Sequence, residues 1–288
     1  MANFPYGTGW LPDRPDVRDY HVETGQIFKL LNVADVDWEN PSQLPPNVDL
    51  RQWCSPIENQ RTLGACSAIA GIGLAEYFQR RAFGKHLDVS PLFLYKVTRK
   101  LMGVSGDTGA FLRTVMKALV LFGVPPEEAW PYAIENFDAE PPAFCYAYGQ
   151  NYQAVKYYRL DSRGTSSSEL LNRIFASLAA ELPVMFGFSV HSSITQATET
   201  GCIPFPTKKE SVIGGHAVCA VGYDDEKIVE NQFGVEKTKG ALLIRNSWGT
   251  EWGEDGYGWL PYEYVRQALT GDWWSLVKSE WVDPDSFE

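Results

Sequence analysis

The stretch that decides the fold is residues 60–70, with the sequence QRTLGACSAIA, in a chain of 288 residues. From Gly64 to Ala75 there is no charged side chain. A helix without a polar face is buried on all sides, so we expect a central helix that begins at Cys66 and ends near residue 83, before Gly84. A thiol in the first turn lies at the positive end of the helix dipole, which favours the nucleophilic thiolate.

Taken alone, Cys66 has a plainer interpretation, because free cysteine is among the most frequently buried residue types. Two later stretches favour chemistry instead. Residues 214–223 read GGHAVCAVGY and residues 244–253 read IRNSWGTEWG. Together with Gln60 and Cys66 they place a histidine, His216, and an asparagine, Asn246, in the order Gln, Cys, His, Asn along the chain.

This order, with the residues around each member, resembles the papain-like cysteine peptidases from about Leu44 to the C-terminal region. In that family the histidine and asparagine follow the cysteine by roughly 130–150 residues. His216 fits this spacing, whereas Asn246 lies beyond it. We therefore expect an insertion around residues 224–240.

The resemblance implies a role for each residue of the motif. Cys66 is the expected nucleophile, and His216 pairs with its thiolate and later protonates the leaving amine. Asn246 is expected to accept a hydrogen bond from the other imidazole nitrogen, and Trp248 to shield that bond from water. Gln60 and the backbone N–H of Cys66 are expected to stabilise the oxyanion.

The resemblance also points to substrate-binding positions. Thr108 and Gly109 fall where the family has a glycine pair that hydrogen-bonds an extended substrate. Gly187, Gly214 and Gly215 are expected to wall the S2 pocket, which dominates substrate choice in this family. Because glycine leaves that pocket roomy, we expect a bulky apolar P2 residue such as Leu or Phe.

The expected activity is that of an endopeptidase. The Gly-Gly-His run resembles cathepsin B, which also removes C-terminal dipeptides, but that activity needs a loop with adjacent histidines, and this chain has none. Two departures from the family, Leu63 in place of a disulfide cysteine and Ser67 in place of Trp, affect the shape of the cleft more than the chemistry.

Two other functions remain open. The first is a catalytically weak papain-like protein that binds peptides or another ligand in the cleft. The second is a Cys-His acyl-transferase such as a transglutaminase. Such enzymes commonly use Asp as the third member, so the Asn-Ser-Trp-Gly motif at Asn246 argues against this second alternative.

Composition excludes other classes. The net charge of −11 argues against nucleic acid as a partner, and we expect a monomer acting on proteins or peptides. No stretch is apolar enough for a membrane helix, and the N-terminus does not resemble a secretory signal. Five cysteines cannot form a closed disulfide framework, which favours a reducing compartment such as a bacterial-type cytoplasm. We expect no cofactor and no metal site.

The predicted fold class is α+β with two lobes and the active site in the cleft between them. Residues 44–150 are expected to form a mainly helical lobe bearing Cys66. Residues 151–288 are expected to form a β-barrel-like lobe bearing His216 and Asn246. Helices are predicted from Cys66, Pro91, about residue 109 and about residue 168, and strands at residues 152–160, 183–190, 217–223 and 241–245.

Residues 1–43 are expected to be an added segment. They are rich in Asp, Pro, Tyr and Trp and have no helical period, so extended chain and turns are predicted. Two interpretations are open: a structural arm packed on the back of the fold, or a short inhibitory pro-segment along the cleft, which would make the protein a zymogen. The Pro-containing residues 40–46 read as a linker between this segment and the lobes.

Overall fold

The structure, a computed structural model, describes residues 5–34, 36–38, 43–152, 156–234 and 237–277. Parts of the predicted linker, of the strand at residues 152–160 and of the predicted insertion lie outside the described residues. Among the described residues, no helix combines the length and apolarity that crossing a bilayer requires.

The helices lie mostly in the first half of the chain. Within the described ranges, five α-helices precede residue 150, and three shorter or amphipathic ones are interspersed with the strands. The α-helices are α1 (Gly25–Val33), α2 (Cys66–Phe83), α3 (Pro91–Met102), α4 (Leu112–Phe122), α5 (Ala143–Gly149), α6 (Ser167–Ala179), α7 (Ala197–Thr200) and α8 (Glu263–Arg266). The 3-10 helices are Arg51–Trp53, Glu127–Ala129, Ile134–Asn136, Gln150–Tyr152 and Ser192–Gln196.

The strands form one antiparallel sheet. They are β1 (Asn47–Asp49), β2 (Lys156–Arg159), β3 (Val184–His191), β4 (Val212–Glu230), β5 (Lys237–Arg245), β6 (Tyr257–Pro261) and β7 (Thr270–Val277). Their order is β2-β7-β3-β4-β5-β6, with β1 paired to β4. The α+β class is confirmed. The sheet is open, so the expectation of a barrel-like lobe was wrong in that detail; β6, β7 and α8 were not predicted.

Helix α2 is the central element, as its sequence predicts. Every residue from Cys66 to Leu74 is buried. Small residues let its neighbours approach: a Cβ on Gly73 would lie 2.8 Å from the guanidinium of Arg245, and Cys219 of β4 lies 3.1 Å from the Ala70 carbonyl oxygen. The helix therefore packs directly against β4 and β5.

The N-terminal segment is more ordered than its sequence predicts. It contains a helix, α1, where only extended chain was expected, and Ile27 and Leu31 are fully buried in the main core. Ahead of the helix, the amide of Arg159 in the edge strand β2 donates to the carbonyl of Tyr20 at 2.7 Å. The segment thus covers a sheet edge that would otherwise expose unpaired backbone groups.

The stretch predicted as an insertion extends the β4–β5 hairpin. Ile228, Val229 and Glu230 of β4 pair with Lys239, Thr238 and Lys237 of β5, beyond an irregularity in register after Asp224. The described residues of this stretch therefore continue the β4–β5 ladder, and whether they are an insertion stays a prediction.

The packing of α1 gives a test of stability. Ile27→Ala should lower the free energy of unfolding by about 2–4 kcal/mol, because it removes a fully buried side chain. Asn32→Ala, an exposed position on the same helix, should change it by less than about 0.5 kcal/mol. Urea denaturation of the full chain measures both; equal stabilities would contradict the packing of α1 on the core.

Candidate active site

Cys66 lies where the central helix meets the sheet. It is the first residue of α2 and is fully buried. The backbone amides of Ala217 and Gly9 lie near its sulfur and favour its charged form. Because Ala217 follows His216 on β4, the thiol lies beside the strand position that carries the imidazole.

The strand register brings His216 and Asn246 together. Cys219 of β4 pairs with Arg245, the last residue of β5, so Asn246 emerges next to the segment of β4 that carries His216. The imidazole Nε2 lies 2.8 Å from Asn246 Oδ1. The other ring nitrogen, Nδ1, is buried and has no hydrogen-bond partner among the described residues. Nδ1 of His216 is therefore free to exchange a proton with another group.

Aromatic rings enclose this pair. Trp248 stacks on His216 with ring centroids 4.3 Å apart, and Phe188 meets the imidazole edge-on at 5.8 Å. Trp248 is itself buried. The hydrogen bond between His216 and Asn246 is therefore kept from water, which strengthens it and fixes the orientation of the ring.

Gln60 joins two loops at the site. Its backbone amide donates to the carbonyl of Ser247 at 2.8 Å, and its side-chain Oε1 accepts from the Ser247 hydroxyl. Its side-chain Nε2 donates to Leu63 at 2.8 Å and to the carbonyl oxygen of Gly7 at 3.1 Å. An N–H of this amide is thus directed at a carbonyl oxygen that belongs to the N-terminal segment.

Residues 6–11, here called the cleft segment, pass through the site. The Gly7 carbonyl also accepts from Trp248 Nε1 at 3.2 Å, and Tyr6 stacks on the same indole with centroids 4.8 Å apart. The amides of Gly9 and Trp10 both donate to the carbonyl of Gly215 at 3.0 Å. The cleft segment therefore covers the thiol, the imidazole and the Gln60 amide together.

The opposite wall of the cleft holds the segment through its backbone. The Ala110 amide donates to the Gly9 carbonyl at 2.8 Å, the Leu11 amide donates back to Ala110 at 3.2 Å, and Trp10 forms a parallel bridge with Ala110. Glycine is required here: a Cβ on Gly9 would lie 2.0 Å from the Gly64 carbonyl oxygen. The backbones approach too closely for any other side chain.

The indole of Trp10 fills the pocket that the sequence predicted to be walled by glycines. A Cβ on Gly187 would lie 2.0 Å from the ring, and one on Gly215 would lie 3.0 Å from it. Gly214 contacts Thr8 instead, since its Cβ would lie 2.7 Å from the Thr8 hydroxyl. The roomy pocket is therefore occupied by a side chain of the same molecule.

Burial sets the protonation states of the covered site. It raises the pKa of the Cys66 thiol to about 11, against the hydrogen bonds from Ala217, Ser67 and Gly9. It lowers the pKa of His216 to about 4, against the hydrogen bond to Asn246. Thiol and imidazole are both neutral between these values. A neutral thiol is a poorer nucleophile than a thiolate.

Most of the residues singled out in the sequence surround one place. Cys66, His216, Asn246, Gln60 and Trp248 come together, and Gly187, Gly214 and Gly215 line the segment that covers them. At the other wall, Gly109 approaches the Gly9 carbonyl, but the backbone hydrogen bonds come from Ala110, and the Thr108 hydroxyl donates to the neighbouring Gly109 carbonyl.

The residues missed by sequence analysis belong to the segment and its anchor. Tyr6, Trp10, Ala110 and Asp272 each contact the cleft or the segment within it. Large aromatic residues in a stretch without helical period were a usable signal, because such side chains need a surface on which to be buried.

In the part of the chain that the structure describes, one group of side chains could hold a metal ion. Glu76, His86 and Asp88 each place one ligand atom within 4.8 Å of the others. Only Glu76 is buried, and its carboxylate already accepts from the amide of Val89. The group lies apart from the cleft and contributes nothing to the site described above.

The fold and the site are those of a cysteine peptidase. Residues 44–268 match the family described as papain family cysteine protease, and the chain belongs to that family. It is a papain-like cysteine peptidase.

Two relatives match nearly the whole chain. One is an uncharacterised peptidase C1-like protein of Acanthamoeba polyphaga mimivirus, 32% identical over 96% of this chain and 88% of its own length. The other is the crystal structure of xylellain, a cysteine protease from Xylella fastidiosa, at 32% identity and a TM-score of 0.76, covering 95% of this chain and 97% of that one. Cathepsin K of Gallus gallus is 29% identical over 77% of this chain and 59% of its own length.

The contact between Gly187 and Trp10 gives a test of the covered site. Gly187→Ala should raise the rate at which iodoacetamide alkylates Cys66 in the full chain by roughly tenfold or more, because a Cβ there expels the buried indole. Gly25→Ala is the control, since a Cβ at that position meets nothing within 4 Å. Peptide mapping by mass spectrometry assigns the adduct; unchanged alkylation in Gly187→Ala would contradict the seating of Trp10.

Proposed function

We propose that the protein is a cysteine endopeptidase made as a self-covered precursor, with Cys66 as the nucleophile. The observation that supports this most directly is the arrangement in the cleft. A stretch of extended chain is bound by Gln60, Gly215 and Ala110, directly over the thiol. A cleft that binds one extended peptide in this way suits the hydrolysis of others, so the proposed substrates are unstructured stretches of proteins or peptides.

The reaction requires the cleft segment to leave. Water then reaches the site, the cost of burying charge falls, and the thiol proton of Cys66 passes to the imidazole of His216. The thiolate attacks the carbonyl carbon of the substrate. The oxyanion formed accepts hydrogen bonds from Gln60 Nε2 and from the backbone N–H of Cys66.

The remaining steps use the same groups. His216 gives its proton to the leaving amine as the tetrahedral species collapses to an acyl-enzyme. A water molecule, deprotonated by His216, then hydrolyses the thioester and restores the thiol. Throughout, Asn246 holds the imidazole in the orientation that serves both proton transfers, while Trp248 excludes competing water.

The cleft segment is proposed to act as a cover and not as a substrate. The backbone amide of Gly9, which donates to the Gly215 carbonyl, lies near the sulfur of Cys66, whereas the carbonyl that accepts from Gln60 belongs to Gly7. The carbonyl held by Gln60 is therefore not the group next to the thiol. Because the same segment raises the thiol pKa by burial, it suppresses the nucleophile as well as blocking access to it.

The catalytic assignment predicts a graded loss of activity. In a chain shortened to begin at Pro12, Cys66→Ala should abolish hydrolysis of a fluorogenic peptide library. Asn246→Ala should lower kcat by about 100-fold, because a misoriented imidazole transfers protons poorly. Asn32→Ala should retain full activity, since Asn32 is exposed on α1.

The contradicting results are distinct. Hydrolysis at the parental rate by Cys66→Ala would refute Cys66 as the nucleophile. A shortened chain that binds peptides in the cleft without cleaving them would favour the ligand-binding alternative.

A further inference from the structure

The pocket that holds Trp10 is shaped for a flat ring. Its walls come from Gly187, Gly215 and Gly271, at which a Cβ would lie 2.0, 3.0 and 3.8 Å from atoms of the indole. Without side chains on three sides, the pocket is a slot between backbone surfaces. We call the space bounded by these glycines and Asp272 the indole pocket.

The far end of the indole pocket is polar. The indole Nε1 of Trp10 donates to Asp272 Oδ2 at 3.0 Å, and the backbone amide of Asp13 donates to the same oxygen at 2.8 Å. Asp272 is only 1% exposed and has a φ of 57°. A residue other than glycine rarely adopts this left-handed conformation, and here it turns a carboxylate toward a pocket lined by glycine.

Neighbouring groups fix this carboxylate in position. Asp161 accepts the backbone amides of Asp272 at 3.0 Å and of Trp273 at 2.9 Å, which holds the unusual turn. A guanidinium nitrogen of Arg159 lies 3.1 Å from Asp272 Oδ1, on the side away from the indole. Oδ1 of Asp272 is thus paired with a cation, and Oδ2 accepts hydrogen bonds from the group that occupies the pocket.

The ion pairs around Asp272 bear on which donor the pocket prefers. Arg159 lies 3.1 Å from Asp272 Oδ1 and also donates to both oxygens of Asp161, so this one guanidinium serves two carboxylates. A neutral N–H donor satisfies Asp272 Oδ2 without placing a second cation beside the Arg159 guanidinium.

We propose that Asp272 is a specificity-determining residue, and that the enzyme prefers peptides with tryptophan at P2. Because the slot accepts a flat ring and its end requires an N–H donor, tryptophan is favoured over Leu and Phe, which lack the donor, and over Lys and Arg. This proposal rests on the proposed peptidase function. It adds a polar requirement to the bulky apolar P2 residue that the sequence predicts.

The first test uses position 10 of the full chain as the probe. Trp10→Phe keeps a flat ring and removes the donor, and Asp272→Asn removes the charge while retaining a residue that tolerates the left-handed backbone. Each change should speed alkylation of Cys66 by iodoacetamide. The double variant should be little faster than the faster single variant, because both changes act on the same hydrogen bond, which Trp10→Phe removes and Asp272→Asn weakens. If the double variant speeds alkylation by the product of the two single-variant effects, the two residues act independently and the proposal is overturned.

The second test measures substrate choice. The enzyme is the full chain with Tyr6→Ala and Trp10→Gly, which removes the two aromatic anchors of the cleft segment. Two peptides differ only at P2, which is tryptophan or 3-benzothienylalanine, a residue of the same shape with sulfur in place of N–H. The ratio of kcat/KM should favour tryptophan by about 10- to 100-fold, the range for a hydrogen bond to a charged group. Peptides with Phe, Leu or Arg at P2 should also be slower.

The outcomes separate this proposal from the peptidase function. Equal rates of hydrolysis for the two matched peptides would overturn the role of Asp272 and leave the peptidase assignment intact. The same holds if the peptide with Arg at P2 is hydrolysed fastest. Absence of hydrolysis would overturn the peptidase assignment. The same peptides are then tested as protectors of Cys66 against alkylation, where stronger protection by the tryptophan peptide supports the indole pocket and equal or no protection overturns it.

Discussion

The packing of α2 against β4 is the contact on which the active site depends. Glycine and alanine on the helix let Arg245 and Cys219 reach its backbone, so the first turn of the helix lies against the strand that carries His216. The thiol of Cys66 then lies near the amide of Ala217, the residue after His216. A larger side chain at Gly73 would separate the helix from the sheet and, with it, Cys66 from His216.

The cleft formed by this contact is filled by the chain itself. The cleft segment is held by hydrogen bonds to backbone groups on both walls, and its fit depends on glycines where the backbones meet. The site beneath the segment is buried, and burial raises the pKa of the Cys66 thiol and lowers the pKa of the His216 imidazole. The motif residues and the cleft segment therefore pack as one structural unit.

The sequence predicted the central helix and the grouping of the motif residues well, because each depends on a strong local signal. A run without charged residues indicates the buried helix α2, and the motifs around His216 and Asn246 can be recognised in the sequence itself. It did not predict α1 or the path of the cleft segment. Both depend on tertiary contacts. Helix α1 is stabilised by the burial of Ile27 and Leu31, and no local sequence pattern indicates that the Trp10 side chain is buried in a pocket.

Asp272 illustrates a second limit of sequence reasoning. It lies in an Asp-Trp-Trp run that reads as core packing, and both tryptophans are indeed fully buried. The function proposed for the carboxylate follows from a left-handed turn and from the neighbours Arg159 and Asp161, none of which has a sequence signature. The partition of the chain into lobes at residues 43 and 150 stays a prediction.

The most direct test of the account is to treat the full chain, and a chain that begins at Pro12, with an epoxysuccinyl thiol inhibitor and to locate the adduct by mass spectrometry. Starting at Pro12 removes the cleft segment and leaves α1 in place. The account predicts rapid labelling of Cys66 in the shortened chain and slow or no labelling in the full chain. Equal labelling of Cys66 in both chains, or labelling of another cysteine, would contradict it.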